Sequence, residues 1–248
     1  MFAGHVGAAM AIARVERRVN LGAFVFAAVL LDFVLWSLVL LGWESVTIPA
    51  DFDTTHQPTY VFPYSHGLLA SLGWSVLAGA VTFVWYHRAR LRAAALVFTA
   101  VFSHWLLDAL VHAPELPIAG ERSAKVGLWL WQSMPLALAI EAFVALTGLY
   151  LFVSRASLSR AKKFWLSVVS LLIIGFTVLG MTVAPRPPSV VAMAASSLVT
   201  IIVVSAPLRA GLAAPIKQGP DTIARLNFAT EEHGSTVETE KANPPRLD

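Results

Sequence analysis

Six apolar stretches dominate this chain, at residues 21–43, 66–86, 91–112, 126–153, 164–183 and 190–207. Each is long enough to cross a hydrocarbon core of roughly 30 Å as a helix. In lipid the backbone must satisfy its own polar groups, so stretches this apolar predict helices and not open sheet. Composition agrees. The chain is 57% hydrophobic and 13% charged, with mean hydropathy +0.69, whereas soluble domains carry about 25% charged residues. The expected fold class is all-α, a polytopic transmembrane helix bundle with six spans and a short N-terminal helix. Residues 1–19 supply that helix. They are apolar and end in Arg14, Arg17 and Arg18, an order opposite to that of a signal peptide, so a half-inserted helix is expected. Pro135 lies inside the fourth stretch and predicts a kink there, because it frees the carbonyl of Trp131. From residue 208 the chain turns polar, and 230–248 shows no apolar period, which predicts a disordered tail. The organisation read from this is 1–153 as a membrane domain, 154–207 as two additional helices, and 208–248 as the tail.

The basic residues set the orientation. Arg14, Arg17 and Arg18, then Arg88, Arg90 and Arg92, then Arg155, Arg160, Lys162 and Lys163 fall on one side of a six-span chain. The other side holds only Arg122, Lys125 and Arg186. Both termini are therefore expected in the cytoplasm, with loops 51–66 and 112–121 facing outward. A formal charge of +3 and a sequence pI of about 9.4 could suggest nucleic acid. The basic residues form no single face, however, and topology accounts for them, so no nucleic-acid partner is expected. The chain has no cysteine. Any metal site must then be built from His, Asp and Glu.

One stretch carries chemistry. In Ser103-His104-Trp105-Leu106-Leu107-Asp108-Ala109-Leu110-Val111-His112, the two histidines and the aspartate recur every fourth residue. On a helix they share one stripe, which must face the bundle interior to avoid lipid. His and Asp one turn apart can close on a divalent ion, or they can be a hydrogen-bonded pair that only fastens helices. Depth brings in other residues. Asp32 lies twelve residues beyond Asn20, and His104 twelve beyond Arg92, both roughly 18 Å above the cytoplasmic surface at the helical rise. Glu141, thirteen residues before Ser154 on a descending helix, reaches roughly 19 Å. If residues 1–16 double back at 17–20, His5 arrives within a turn of the same level. Asp108 lies one turn further out, and His66 stands at the outer end of the second stretch. An acid at such depth costs about 2.5–3.5 kcal/mol on insertion scales. Acids gathered without a cation would repel one another, and a shared divalent ion removes that conflict.

Other residues have plainer readings. Asp32 and Glu141 could each be a protonated acid bonded to backbone, and His5 could be interfacial. His56 reads as a solvated loop residue, His87 as part of the cytoplasmic basic cluster, and His233 as part of the tail. Trp43, Trp85 and Trp165 read as aromatic-belt anchors. Trp105, Trp129 and Trp131 lie deeper and are expected to pack around a cavity.

Gly4-His5, Asp32, Pro63-Tyr64-Ser65-His66-Gly67-Leu68-Leu69 and Ser103-His104-Trp105-Leu106-Leu107-Asp108, in that order, together resemble the YdjM-like bacterial inner-membrane proteins, a family of metal-dependent hydrolases. His112-Ala113-Pro114-Glu115-Leu116-Pro117, Gly127-Leu128-Trp129-Leu130-Trp131-Gln132-Ser133 and Glu141 are similar to one branch of it. The resemblance covers about residues 5–150. A more distant similarity is to zinc-dependent phospholipase C, whose metal ligands follow in the order His, Asp, His, His-x-x-x-Asp. That resemblance implies His5, Asp32, His66, His104 and Asp108 as ligands, and Glu141 as an extra ligand or a base. The later His-x-x-x-Glu pair is missing, because Ala137 stands four residues before Glu141, so a full trinuclear site is not expected.

The expectation that results is a multi-pass protein of the bacterial inner membrane that hydrolyses its substrate with a bound metal. His66, His104 and Asp108 form the core of the site, joined by Asp32 and His5. Zinc is the first choice for such N/O ligands, with manganese or another divalent ion as the alternative. Asp32 or Glu141, whichever is not a ligand, takes the proton of the attacking water. The partners implied are the lipid bilayer and an amphipathic substrate, a phospholipid or a lipid-linked phosphoester. Two other classes stay open at this point, a proton or cation transporter and a scaffold.

Overall fold

The computed structural model describes residues 1–16, 19–87 and 89–207. Its helices are α1 (Phe2–Ala13), α2 (Leu21–Ala28), α3 (Leu30–Leu40), α4 (Phe52–Thr55), α5 (Leu68–Trp85), α6 (Arg90–Val111), α7 (Met134–Arg155), α8 (Arg160–Thr182) and α9 (Val190–Pro207). The protein is mostly helical, as the apolar stretches require. Among the described residues, α5, α6, α7 with the turn before it, and α8 are each long and apolar enough to cross a membrane. The first apolar stretch is a broken pair, with α2 and α3 meeting at a bend of 53°. α1 and α9 are shorter apolar helices. The expected tail at 208–248 lies outside the described residues.

The loops hold more structure than an all-α reading allows. Strands β1 (Ser45–Thr47) and β2 (Thr59–Val61) pair antiparallel with Val46 opposite Tyr60. Strands β3 (Leu116–Pro117) and β4 (Lys125–Val126) form a second short ladder. The fourth apolar stretch therefore begins as strand and then a 3₁₀ turn, Leu130–Ser133, before α7 starts. Pro135 sits in the first turn of α7 and does not kink its middle. A missing N–H costs nothing there, since the first turn has no carbonyl behind it to bond.

The bend between α2 and α3 has an identifiable cause. Asn20 starts α2 by accepting a hydrogen bond from the Gly22 N–H at 2.8 Å. At the far end, His104 Nδ1 lies 2.6 Å from the Ala28 carbonyl oxygen. A side chain inserted into the ladder is one of the few ways to bend a helix sharply. Val29 takes up the change with φ −110° and ψ 14°, and α3 restarts with Asp32 in its first turn.

α1 lies at the centre of the bundle, packed on α7, α2 and α6, with Ala3, Val6, Ala9, Met10 and Ala13 buried. Sequence alone suggested a short, half-inserted helix. α5 packs on α6, α8 on α7 and α1, and α9 on α3 and α2. Two arginines tie the ends together. Arg92 donates to the Val15 carbonyl at 2.8 Å, its Nε 3.8 Å from a Glu16 carboxylate oxygen. Arg186 donates to the carbonyls of Ile48 at 3.0 Å and Pro49 at 2.9 Å, which binds the turn between α8 and α9 to the loop after β1. Trp43, Trp85 and Trp165 are exposed, as aromatic-belt positions should be.

Candidate metal centre

Four elements deliver the polar residues to one point. α6 carries His104 and Asp108 one turn apart, α3 opens with Asp32, α1 brings His5, and the turn before α5 presents His66. Asp108 reaches in two directions. Its Oδ1 lies 3.2 Å from His5 Nε2, and its Oδ2 lies 3.0 Å from His104 Nε2 and 3.4 Å from His66 Nε2. Asp32 Oδ1 stands 3.6 Å from both His66 Nε2 and His104 Nε2. The His5 and His104 rings stack at 3.7 Å. His5, His66, His104 and Asp108 are buried, while the Asp32 side chain keeps 25% exposure toward the cavity described below. All five residues named from the sequence thus converge.

The protons on the imidazoles are assigned by their outer partners. A carbonyl oxygen only accepts, so His104 Nδ1 carries the hydrogen and donates to Ala28. Ser65 Oγ gives its proton to Glu44 Oε2 at 2.7 Å, and must accept from His66 Nδ1 at 2.8 Å. In the neutral imidazoles, both Nε2 atoms then carry lone pairs, and they face each other at 3.2 Å. Two lone pairs beside two carboxylates call for positive charge, either a proton shared between the imidazoles or a metal ion, and the Met1 ammonium stands at the edge of the cluster, 3.8 Å from Asp108 Oδ1. His5 Nδ1 and Nε2 and Asp108 Oδ1 are buried without a hydrogen-bond partner, which points the same way. His5, His104 and Asp108 form one close set of ligand atoms, and Asp32, His66 and His104 a second. These buried groups could hold a metal ion, and their nitrogen and oxygen donors fit a divalent one.

The residues behind the ligands were the least visible in sequence. Glu44 is buried and accepts from the N–H groups of Tyr64 and Ser65 at 2.8 and 2.9 Å. Trp105 Nε1 donates to the His66 carbonyl at 2.9 Å. The adjacency Ser65-His66 was the only hint available, since an acid just past an apolar stretch looks like an ordinary loop charge. Outer partners of this kind typically govern metal affinity by 10–100-fold. Ser65→Ala removes the acceptor for His66 Nδ1. It is expected to weaken metal binding by about that factor, read by competition with a calibrated chelator, while unchanged affinity would deny Ser65 this role.

No family model, curated protein or solved structure matches this chain. The chemistry rests on the geometry alone.

The remaining candidates surround a cavity of about 530 Å³ that Asp32, His66 and Asp108 also line. Glu141 of α7 is buried and faces this cavity. Its Oε1 accepts from the Gly4 N–H at 3.3 Å, and it belongs to neither close set of ligands. His112 ends α6 outside those sets, with Nδ1 2.7 Å from Glu115 Oε1 and its ring 4.2 Å from that of Trp131. The three-residue stripe therefore divides, because the chain leaves the helix at His112. His56 is buried and lines the cavity, which corrects its reading as a solvated loop residue. Its left-handed backbone, φ 53°, turns the loop inward. Trp105 is buried and Trp131 lines the cavity, whereas Trp129 is 47% exposed. Trp129 takes a left-handed conformation at the start of the 3₁₀ turn, which leaves its side chain out of the wall. Desolvation, and then the carboxylates of Asp32, Glu115 and Asp108, push the Tyr60 phenol well above its ordinary value. Tyr60 thus stays a neutral hydroxyl at the cavity.

Proposed function

We propose that this chain is a membrane-embedded, metal-dependent hydrolase acting on a phospholipid or lipid-linked phosphoester, of the YdjM-like kind that its motifs resemble. The observation that carries this reading is the meeting of two Nε2 lone pairs with the Asp32 and Asp108 carboxylates, the imidazole protons being committed elsewhere. His5, Asp32, His66, His104 and Asp108 hold the metal in this reading, with zinc as first choice. A bound divalent ion lowers the pKa of its water toward neutrality and polarises the phosphoryl oxygen. Glu141 accepts the water proton. Its Oε1 is fixed by the Gly4 N–H, which leaves Oε2 for that task. The water oxygen bonds to phosphorus, the P–O bond to the alcohol breaks, and the departing alkoxide takes up the proton that Glu141 received from the water.

The same proposal places the protein in a bacterial inner membrane with both termini cytoplasmic, α2 and α3 acting as one bent span and α9 as a short sixth. The distribution of the basic residues along the sequence supports this orientation. The site then lies in the outer half of the bilayer, where a headgroup phosphate is within reach.

Metal content after detergent purification is the test. Wild type is expected to retain zinc or manganese at a fixed stoichiometry, and His104→Ala and Asp108→Ala to lose it along with hydrolysis of a phosphodiester probe. Metal-free wild type that moves protons or cations in liposomes would replace this reading with transport. Variants that only melt earlier would reduce the cluster to a helix fastener.

A further inference from the structure

We infer that the substrate enters the cavity sideways from the bilayer, through the cleft between α8 and α9, and that its acyl chain lies in that cleft. The inference rests on the hydrolase reading for the chemistry at the polar end, but not for the route. α8 and α9 are consecutive helices that splay onto different partners, α8 onto α7 and α1, and α9 onto α3 and α2. Residues from both helices line the cavity, among them Phe176, Thr177 and Gly180 on α8 and Ser196, Ser197 and Thr200 on α9.

Position and exposure show where this wall opens. Phe176 lies sixteen residues above Arg160 on the rising α8, roughly 24 Å along it, and Ser196 to Thr200 lie roughly 9–15 Å below the outer end of α9. That is membrane depth. At that depth Phe176 is 57% exposed and Ser196 is exposed while both line the cavity, so they form a rim that faces lipid. On the water side two loops border the cavity and are tied together. Cavity residues Phe52 and His56 come from one loop and Pro185 and Pro187 from the other, and Arg186 fastens the two loops through the carbonyls of Ile48 and Pro49.

The lining of the cleft suits a hydrocarbon chain. None of the cavity residues on α8 or α9 is charged. The hydroxyls of Thr177, Ser196 and Thr200 donate to their own helices, to Ile173, Met193 and Ser196 carbonyls at 3.0, 2.9 and 2.9 Å. Their donor protons are spent on their own helices, so toward the cleft they offer methyl or methylene surface and acceptor lone pairs alone. Asp32, Asp108 and Glu141 line the same cavity from other helices, which orders an occupant with its phosphoester at the metal centre and its chain between α8 and α9. This also gives the last two helices, which the sequence resemblance leaves out, a function.

The test uses a phosphatidylglycerol carrying a diazirine in its acyl chain, in vesicles of phosphatidylethanolamine and phosphatidylglycerol with the full chain reconstituted. Photolabel is expected to concentrate on Phe176, Thr177, Ser196 and Thr200 over the lipid-facing Leu171 and Leu172. A Cβ at Gly180 meets nothing within 4 Å, so a side chain can start there, and Gly180→Trp directs an indole into the cavity that Gly180 lines. It is expected to lower cleft labelling at least tenfold with metal content unchanged, whereas Leu171→Trp, at a 57% exposed position, leaves labelling intact. If Gly180→Trp does not fold, Ser196→Trp plugs the cleft from the other helix, and the wild-type labelling pattern decides by itself. Label spread evenly over the outer faces of α8 and α9, or unmoved by the plug, overturns the inference. A metal-loaded protein with that even pattern rejects the route alone. A metal-free protein with a labelled, pluggable cleft rejects the hydrolase reading and keeps the route.

Discussion

Glu141→Gln is expected to keep its metal and lose hydrolysis by 10²- to 10⁴-fold, the usual contribution of a positioned general base. Glutamine retains the Oε1 acceptor that the Gly4 N–H uses, so the contact between α1 and α7 survives and the cluster behind it is undisturbed. What disappears is the capacity to take a proton. The measurement is a paired one, with bound metal and phosphodiester turnover read on the same preparation. If metal falls with activity, Glu141 is a ligand and the base must be sought in Asp32, the acid that stays part exposed. If neither changes, the proton goes elsewhere and Glu141 serves only to hold the start of α1. The magnitude separates the cases, since losing an acceptor hydrogen bond alone removes about 0.5–1.5 kcal/mol, close to tenfold or less in rate.

The convergence of the five candidate ligands was legible because membrane depth converts a one-dimensional spacing into a coordinate. Asp32 and His104 share a level by counting residues from the basic end, and they meet in the fold through Asp32 Oδ1 and His104 Nε2 at 3.6 Å. Helical rise is nearly constant, so such counts survive folding. Rotation about the helix axis is also nearly constant within one helix, which is why His104 and Asp108 fall together on α6. The same rule stops at His112, where the helix ends, and Pro114 two residues on is the sequence signal for that end. The break at Val29, by contrast, was hidden. It follows from a tertiary contact, His104 with the Ala28 carbonyl, and no local propensity encodes it.

Loop residues were the harder class. His56 and Glu44 lie in a polar segment whose composition reads as solvated, yet both are buried. The short ladder of β1 and β2 folds that segment over the cavity, and two three-residue strands leave almost no periodic signal. The placement of α1 was missed for a related reason. An apolar helix of twelve residues is too short to cross a bilayer, so its length argued for half-insertion, and only a doubling back at 17–20 brought His5 to the level of the site. Its small residues argued for the centre.

Those small residues support the second large prediction. At the crossing of α1 and α7, a Cβ on Gly7 would lie 2.5 Å from the Ala145 Cα, and one on Gly148 would fall on the Gly7 carbonyl oxygen. Backbone is what each added carbon would strike, so no rotamer change relieves it. In lipid, where apolar burial drives little association, close backbone approach of this kind supplies the packing that holds helices together. Gly148→Val must therefore push α1 away from α7. The expected destabilisation is about 3 kcal/mol or more, at or beyond the upper end of ordinary overpacking. His5 rides on α1, and moving α1 takes it from His104 and Asp108, so the displacement should also weaken metal binding. Gly175→Val is the matched control, since a Cβ there meets nothing within 4 Å, and its melting temperature in detergent should stay within a degree or two of wild type. Equal melting temperatures for the two variants would mean that α1 does not press on α7 at Gly148. His5 would then have no fixed support, and a ligand set that includes it would lose its structural basis.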